Sequence, residues 1–318
     1  MNILSGVACT LGCACWCMWL LGRVVTDRFA YLQYLHWIPS SLALVITIVC
    51  AFAMTRSKRH IVRNTLWVLA LLQLGTIVTQ DVALWRAMSQ AEISRRPCLR
   101  IAHFNANWPG KQSAQIADAL GAGLNSAFAG EAPDVLVISE FGGLLGADVV
   151  ANFAAANAAS TSIGRFGIIS VVPLLETLLL FDDGKSSAAL VRFAEWNGNP
   201  PWSTVLVDLP SNPETPRFDG LMRVRSRIDA TLHAPPEVIL GDFNIVRGGH
   251  SLKAFAPTMH HAFDEAGVGL GATYSREWPL WHIDHILLSP QMRAMRYETI
   301  DLGVGRHRMQ AASIQFRN

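Results

Sequence analysis

Two polar side chains directly follow a short apolar run in the C-terminal half of the sequence. The run 238–240 (Val-Ile-Leu) is followed by Gly-Asp-Phe-Asn at 241–244. Side chains alternate along a strand, so Asp242 and Asn244 would point to the same side. A carboxylate beside an amide suits a hard cation, or a water molecule that attacks phosphorus. Gly, Asp and Asn are also ordinary turn residues, so this stretch alone leaves a simple turn as an equal alternative.

Other apolar runs also begin or end at polar residues that could bind a metal ion or a phosphate. The residues are Asn105, Glu140, Asp208, the pair Asp284 and His285, and His307 before the last run. Each has a structural alternative, such as a cap, a side-chain turn, a core histidine or a surface charge. Their joint occurrence at strand edges favours one shared site.

The elements that must position these residues alternate between short apolar runs and helical stretches after residue 98. The runs are 99–104, 135–139, 167–172, 188–193, 204–207, 238–240, 283–288 and 311–316. Helical stretches are predicted at 114–128, 147–159 and 218–232. Several runs are almost entirely apolar, which indicates sheets covered on both faces. The pattern predicts a layered α/β or α+β domain.

The first 85 residues carry three apolar segments, which are 3–21, 38–54 and 65–84. Each is about long enough to cross a bilayer, so three transmembrane helices are predicted. Arg56, Lys58, Arg59 and Arg63 crowd the link between the second and third segments, which predicts that this link is cytoplasmic. The chain after Trp85 would then lie outside. The sequence thus predicts a multi-pass protein of the inner (plasma) membrane with its catalytic domain on the periplasmic side.

Charge and cysteine content separate the same two parts. Residues before Pro97 hold nine Lys or Arg and three Asp or Glu, whereas residues after it hold 17 and 21, a net charge of −4. This acidic balance argues against a broad nucleic-acid-binding surface. Five of the six cysteines precede residue 85, so no disulfide can form within the C-terminal part. The predicted organisation is a membrane region at 1–85, a linker at 86–98 and a catalytic domain at 99–318.

The order of the polar residues resembles the endonuclease/exonuclease/phosphatase superfamily, which includes type I deoxyribonucleases, neutral sphingomyelinases and inositol-polyphosphate 5-phosphatases. Gly-Asp-Phe-Asn at 241–244 is the most specific match, followed by Pro-Asp-Val-x-x-x-x-Glu ending at Glu140. The resemblance implies a four-layered sandwich in which two mixed β-sheets are flanked by helices. It also implies metal-dependent hydrolysis of phosphate esters, with Mg²⁺ or Mn²⁺ as the cofactor.

Carried over position by position, the resemblance implies a role for each residue. Glu140 would bind the metal ion, helped by Asn105, and Asp242 would orient the attacking water or protonate the leaving oxygen. Asn244 would stabilise the transition state, and His307, oriented by Asp284, would act as general base or phosphate contact. The remaining predicted phosphate contacts are Asn107 and His285.

Two positions depart from the family pattern. The family usually closes with Ser-Asp-His, whereas this sequence has Gly-Arg-His at 305–307, and the family usually has His where this sequence has Asp208. A basic residue, Arg306, stands where the family usually has an acid, and an acid, Asp208, stands where the family usually has a basic residue. We therefore hypothesise that the two positions have exchanged their roles in the site. Arg306 would bind the phosphate and Asp208 would join the metal ligands.

The sequence therefore predicts a membrane-tethered, metal-dependent phosphoesterase that acts by in-line attack of water. Two alternatives remain open at this stage. The substrate is either nucleic acid or a phospholipid or other small phosphodiester, and an inactive binding module of the same fold is the competing hypothesis. The sequence supports no inference about a protein partner.

Overall fold

The fold is described from a computed structural model. It covers residues 3–29, 31–55, 60–83, 98–108, 110–128, 132–142, 158–212 and 214–317. The predicted linker 86–98 lies outside these residues apart from Cys98, as do most of the predicted helix 147–159 and the basic residues at 56–59.

The N-terminal part is a bundle of helices. Helix α1 is Ile3–Val25, the short α2 is Gln33–His36, α3 is Ser40–Ala53, and α4 is His60–Thr76, continued by a π-helical turn at Ile77–Asp81. Two stretches, Ser5–Val25 and His60–Asp81, are long and apolar enough to cross a membrane. The 14-residue α3 is only about 21 Å long and does not match a hydrocarbon core of about 30 Å.

The prediction of three transmembrane helices is therefore corrected to two candidate spans. The apolar segment 38–54 is shorter as a helix than as a sequence run, because Pro39 adopts an extended conformation and α3 begins only after it. Proline has no backbone N–H and a fixed φ angle, so it occurs readily at a helix start and rarely inside a helix. In this part of the chain, the apolar segment 38–54 is therefore longer than the helix Ser40–Ala53 that forms within it.

The first β-sheet has six strands in the order β11-β12-β1-β2-β4-β3. Its strands are β1 (Leu99–Asn105), β2 (Val135–Ser139), β3 (Ala159–Ile163), β4 (Phe166–Ser170), β11 (Met292–Ile300) and β12 (Met309–Phe316). Strands β1 and β2 are parallel and every other pair is antiparallel. Because β1 and β2 are parallel, Asn105 and Glu140 emerge at the same edge of the sheet.

The second sheet also has six strands, in the order β5-β6-β7-β8-β10-β9. Its strands are β5 (Leu174–Asp182), β6 (Ser187–Phe193), β7 (Trp202–Asp208), β8 (Val238–Asp242), β9 (His260–His261) and β10 (Asp284–Leu288). Strands β7 and β8 are parallel, so Asp208 and Asp242 are partners in the register. Strand β10 runs antiparallel to β8 and begins beside its end, which places Asp284 opposite Asp242.

The two mixed sheets pack face to face and helices cover their outer faces, as predicted. The inner layer contains residues of both sheets, among them Val137, Ile314, Leu240 and Ile286. Helix α5 (Ser113–Ala127) packs on the outer face of the first sheet, and α6 (Arg217–Thr231) on the outer face of the second. Two short helices, α7 (His250–Phe255) and α8 (Ala262–Ala266), complete the described elements.

Gly241 allows the end of β8 to approach its neighbour closely. Its φ is +145°, and a Cβ atom built there would lie 1.9 Å from the carbonyl oxygen of Val207. No other residue type fits this position without displacing β7. The glycine before Asp242 is therefore required by the close contact between two parallel strands, which brings Asp242 into register with Asp208.

The N-terminal helices are attached to the sheet domain through the chain between α1 and α3 and through the end of α4. Thr26 and Asp27 accept hydrogen bonds from the first backbone N–H groups of α7. The indole N–H of Trp281 donates to the Trp37 carbonyl at 2.8 Å, and Arg247 contacts Gln80. These contacts hold the ends of α1 and α4 that face the sheet domain against the loops that surround the ends of β8 and β10.

Candidate active site

The predicted polar residues converge where the ends of both sheets meet. Asn105 ends β1 of the first sheet, and Asp242 ends β8 of the second. The Asn105 Nδ2 donates to Asp242 Oδ2 at 2.8 Å across the gap between the sheets. Both side chains are almost completely buried, with 2% of each residue exposed. This hydrogen bond joins the two sheets at the candidate site.

The turn after β8 is held by its own polar side chains. The Asn244 N–H donates to Asp242 Oδ1 at 2.9 Å, and Asn244 Nδ2 donates to the Leu209 carbonyl at 2.8 Å. Asn244 has a φ of +50°, a left-handed conformation that asparagine accepts more readily than most residues. The two alternatives predicted for 241–244 are thus compatible, because the stretch is a turn and also a strand end that carries two polar side chains at the candidate site.

Left-handed backbone conformations recur around this site. Asn107 and Glu140 have φ angles of +51° and +49°, and neither is glycine. Such conformations cost of order 1–3 kcal/mol each and tend to occur where function requires a particular side-chain direction. The Asn107 N–H donates to Asn105 Oδ1 at 2.7 Å, so the turn after β1 fixes the orientation of the Asn105 amide.

His307 and Asp284 form a buried pair beside Asp242. The imidazole Nδ1 of His307 lies 2.9 Å from Asp284 Oδ2, and its Nε2 lies 3.9 Å from Asp242 Oδ2. Burial disfavours the charged imidazolium, but Asp284, Asp242 and Glu140 outweigh it and raise the pKa of His307 to about 9. His307 is therefore protonated near neutral pH, with Nδ1–H donating to Asp284.

Asp242 shows the opposite kind of perturbation. Burial and the charge of Asp284 raise its pKa to about 7, although His307 and the hydrogen bonds from Asn244 and Asn105 oppose the shift. A carboxyl group with a pKa near the operating pH can both hold and release a proton, as acid–base catalysis requires. Asp284, in contrast, has a lowered pKa, since His307 outweighs the effect of burial.

Glu140 provides the most accessible carboxylate of the site. It follows β2 and lines a cleft of about 600 Å³ together with Asn105, Asn107, Asp242 and His307. Among the described residues, none donates a hydrogen bond to its carboxylate. Carboxylate and amide oxygens suit Mg²⁺ or Mn²⁺. The Oδ1 of Asn105 and both carboxylate oxygens of Asp242 already accept hydrogen bonds, and each of these oxygens keeps a second lone pair. The donor set of Glu140, Asn105 and Asp242 therefore fits the predicted metal ion by its chemistry, with Glu140 as its accessible member.

Asp208 lies at the end of β7, where it pairs with an arginine that the sequence analysis did not identify. The Arg165 Nη1 contacts Asp208 Oδ2 at 3.1 Å. Burial, Glu140 and Asp242 raise the Asp208 pKa well above its usual range, and Arg165 opposes the shift. Arg165 lines the cleft and Asp208 does not. The hypothesis that Asp208 joins the metal ligands is thus weakened, because one of its oxygens is already paired with Arg165.

Of the three other residues predicted to contact the phosphate, two line the cleft and one does not. Arg306 and Asn107 line the cleft, and Arg306 donates to the Tyr274 hydroxyl at 2.9 Å. His285 is fully buried on the opposite side of β10 from Asp284, because neighbouring side chains alternate along a strand. His285 is therefore not a phosphate contact in this structure.

His285 instead belongs to a buried cluster with His261 and His282, whose ligand atoms are close enough to hold a metal ion. The hydrogen bonds of two members define a neutral chain. The Phe263 N–H donates to His261 Nδ1, His261 Nε2–H donates to His285 Nδ1 at 2.7 Å, and His285 Nε2–H donates to the Ile245 carbonyl. The lone pairs that a metal would need are already used, so the cluster is structural.

The fold is a sandwich of two mixed β-sheets flanked by helices, with a buried Asp–His pair where the ends of the sheets meet. A profile of the Endonuclease/Exonuclease/phosphatase family matches residues 102–307. The chain belongs to this family, which confirms the resemblance seen in the sequence. No curated protein matches the chain.

Solved structures share the fold at low sequence identity. An endonuclease/exonuclease/phosphatase family protein from Bacteroides thetaiotaomicron is 15% identical, with a TM-score of 0.56 over 70% of this chain and 99% of that one. A mannosyl-6-phosphatase from the same organism gives 15% and 0.54 over 69% and 100%. D. rerio TDP2 in complex with a single-strand DNA product gives 17% and 0.50 over 69% and 100%. At this identity the likeness concerns the fold.

The Asp284→Asn substitution should lower the pKa of His307. In the metal-free full chain we expect a clear fall from about 9, because the carboxylate that raises this pKa most is lost while burial, which lowers it, remains. NMR titration of the imidazole measures this pKa. Asp301→Asn, at an exposed loop position, should leave it unchanged. A pKa that stays near 9 in Asp284→Asn contradicts the assignment.

The same pair should make stability depend on pH. The folded pKa of His307, about 9, is above its unfolded value of 6.5, so the pair stabilises the folded state fully below pH 6.5. This contribution disappears as the pH rises through 9. Thermal unfolding of the metal-free protein across this range should show the loss in the wild type, and a smaller loss in Asp284→Asn.

The Arg165–Asp208 pair should be strongly coupled. Arg165→Met leaves Asp208 buried near two acids, whereas Asp208→Asn removes the charge that needs compensation. In a double-mutant cycle of unfolding free energies we expect a coupling of at least about 1 kcal/mol. The exposed pair Arg192 and Glu176 is the matched control and should give less than about 0.5 kcal/mol. Additive effects at Arg165 and Asp208 would show that the pair is unimportant.

Proposed function

We propose that the chain is a membrane-tethered, divalent-metal-dependent phosphoesterase that hydrolyses a phosphate ester by in-line attack of water. One observation carries the proposal. The carboxylate of Asp242 is hydrogen-bonded by Asn105 and lies beside the His307–Asp284 pair at the cleft that Glu140 borders. Family membership supports the class of reaction.

Glu140 and Asn105, with Asp242 nearby, would hold Mg²⁺ or Mn²⁺. When bound, the metal ion neutralises charge that develops on the phosphoryl oxygens. Asp242, with its pKa of about 7, accepts a proton from the attacking water or returns one to the leaving oxygen. His307 is protonated and donates from Nε2 to a phosphoryl oxygen, which favours its role as phosphate contact over that of general base.

The hypothesis that Asp208 and Arg306 have exchanged roles needs to be modified. Arg165, held by Asp208, would present its guanidinium to the phosphate from the side where the family usually has an imidazole. Arg306 lies on the wall near Tyr274 and would bind the phosphate from there. Asp208 thus acts through Arg165. These cations argue against the inactive binding module, because the departures replace charge with charge.

The proposal of a membrane tether is supported by the exposed apolar faces of the N-terminal helices. Only 28% of the apolar window of Ser5–Val25 and 17% of that of His60–Asp81 are buried, whereas a core helix is mostly covered. Leu71, at 65% exposure, and Val45, at 56%, illustrate the uncovered apolar surface. We propose that these faces lie in the lipid of the inner membrane and that the domain containing residues 99–318 is periplasmic.

The helix directions agree with that orientation. The end of α1, the start of α3 and the end of α4 all lie on the side of the sheet domain, so the 14-residue α3, although shorter than a hydrocarbon core, would have to return the chain to the start of α4 at the opposite end. The link from α3 to α4 carries Arg56, Lys58 and Arg59 in the sequence. Basic links are retained in the cytoplasm, so the sheet domain would lie across the membrane from them.

Glu140→Gln should abolish metal-dependent turnover. With the full chain in detergent, bis-p-nitrophenyl phosphate and Mg²⁺ or Mn²⁺, we expect kcat/KM to fall at least about 100-fold together with metal affinity, because a ligand oxygen is lost. EDTA should abolish the wild-type activity. Glu176→Gln, at an exposed position on β5, is the matched control. A wild type that neither binds metal nor hydrolyses the ester would favour the binding module.

Reporter fusions test the orientation. A β-lactamase fused after Asn318 should confer ampicillin resistance on intact cells, because it would be exported with the sheet domain. The same reporter fused after Thr55, on the proposed cytoplasmic side, should not. Resistance from the Thr55 fusion alone would reverse the proposed topology.

A further inference from the structure

The segment between α1 and α3 forms part of the candidate active site. Trp37 lines the catalytic cleft together with Asp242, Tyr274 and His307. It also lines a second cavity, of about 100 Å³, whose other walls are the start of α3, the end of α4 and the loop at 270–282. Trp37 therefore lies between the catalytic cleft and the ends of the membrane helices, and it borders both cavities.

A series of neighbouring aromatic rings extends from Trp37 to the catalytic residue His307. The centroid of Trp37 lies 5.9 Å from that of Trp281, Trp281 lies 6.1 Å from Tyr274, and Tyr274 lies 5.0 Å from His307. The Arg306 guanidinium lies over the Tyr274 ring at 5.7 Å. Trp37 and Tyr274 therefore give the cleft an aromatic side, and Trp281 contacts both rings without lining the cleft.

The cleft also has a cationic side. Arg165, Lys185 and Arg306 line the cleft. Arg165 precedes β4 and His307 precedes β12, so strands β1 and β2 separate this arginine from the aromatic end of the cleft. Cationic groups suit a phosphate, and aromatic surface suits an apolar substituent. A cleft with both kinds of wall fits an amphiphilic phosphate ester better than a polyanion, which needs a broad basic surface.

Arg217 fixes the Trp37 segment to the cleft. Its guanidinium is buried, donates to Gln33 Oε1 at 3.1 Å and to the Ser211 carbonyl at 3.3 Å, and lies 5.5 Å from the Trp37 ring. Ser211 itself lines the cleft. The membrane-proximal segment and the catalytic wall are therefore held by one buried side chain, which argues against an accidental contact.

The domain also presents apolar side chains beside the helix ends. Trp278 is 76% exposed, and Val268, Leu270 and Leu280 are each more than 40% exposed. Leu270 and Leu280 line the same cavity as Pro39 and Ile77, at the ends of α3 and α4. Aromatic and aliphatic side chains in that position suit the interface of a bilayer, where tryptophan is enriched. The patch formed by Val268, Leu270, Trp278 and Leu280 is continuous with the proposed membrane region.

We propose that the substrate is a lipid phosphate ester whose apolar part remains in the bilayer while its phosphate enters the cleft past Trp37. The inference rests on the proposed phosphoesterase function and specifies its substrate class. The patch 268–280 would rest on the membrane surface, and the aromatic wall would accompany the lipid toward His307 and Asp242. A water-soluble ester would reach the same catalytic groups without using either surface.

The test compares two synthetic probes on the full chain in lipid nanodiscs with Mg²⁺ or Mn²⁺. Ethyl p-nitrophenyl phosphate is water-soluble, and hexadecyl p-nitrophenyl phosphate partitions into the bilayer. Both release p-nitrophenol, so only the alkyl group differs. We expect kcat/KM to be at least about 10-fold higher for the hexadecyl ester, since burial of a few methylene groups supplies this difference.

Enrichment of the long-chain ester at the bilayer would by itself raise its rate, and variants of the protein distinguish this effect from binding at the two surfaces. Trp37→Ala and the double variant Trp278→Ser with Leu280→Ser should each reduce the hexadecyl/ethyl ratio at least about 5-fold. The second removes only exposed side chains and should fold normally. Leu175→Ser, which removes a 63% exposed leucine from strand β5, should leave both rates and their ratio unchanged.

The outcomes separate this inference from the proposed function. Hydrolysis of the ethyl ester with a ratio near one, or a ratio that all variants retain, overturns the lipid inference alone. Faster nicking of plasmid DNA than hydrolysis of either ester also overturns it, in favour of a nuclease. No turnover of any of the three substrates overturns the proposed function and the inference with it.

Discussion

The hydrogen bond between Asn105 and Asp242 is the contact on which the site depends, because it is a buried polar link between two strand ends across the gap between the sheets. The inner layer between the sheets is apolar and non-directional, so it does not determine their relative position at this edge, where His307–Asp284 and Arg165–Asp208 are further polar links. The buried amide–carboxylate bond does determine it. Asn107 orients the amide and Asn244 binds the other carboxylate oxygen, so the geometry of Asp242 is specified from both sheets.

This constraint has an electrostatic consequence. Holding Asp242 beside Asp284 in a buried position is unfavourable, and His307 is the charge that compensates. The imidazolium lies between the two carboxylates, paired closely with Asp284 and more distantly with Asp242. The pKa of Asp284 is therefore lowered, whereas the pKa of Asp242 is raised to about 7. Two chemically identical side chains acquire different proton affinities because one histidine pairs closely with only one of them.

The sequence predicted the inner strands and missed the outer ones, for a physical reason. Each of the eight apolar runs became a strand with neighbours on both sides, whereas the missed β3, β5, β9 and β11 are the four outermost strands of the two sheets. Strand β3 is mostly polar and produces no apolar run. Strand β5 contains the apolar run 178–181 but is largely exposed at the edge of its sheet and carries Glu176, so it lacks the pattern of a strand buried on both faces. Arg165 was missed for a related reason. It lies in the turn between β3 and β4, and only the packing of the two sheets brings it to Asp208.

The two departures from the family are coupled to different neighbours, so they are not a single exchange. Asp208 is buried and would be costly beside Glu140 and Asp242 without Arg165, which makes the acid and its arginine one structural unit. Arg306 is exposed and contacts Tyr274, in the aromatic series that leads to Trp37. A change at Asp208 therefore acts on the phosphate end of the cleft through Arg165. A change at Arg306 acts on the wall of the cleft beside Tyr274, nearest the N-terminal helices.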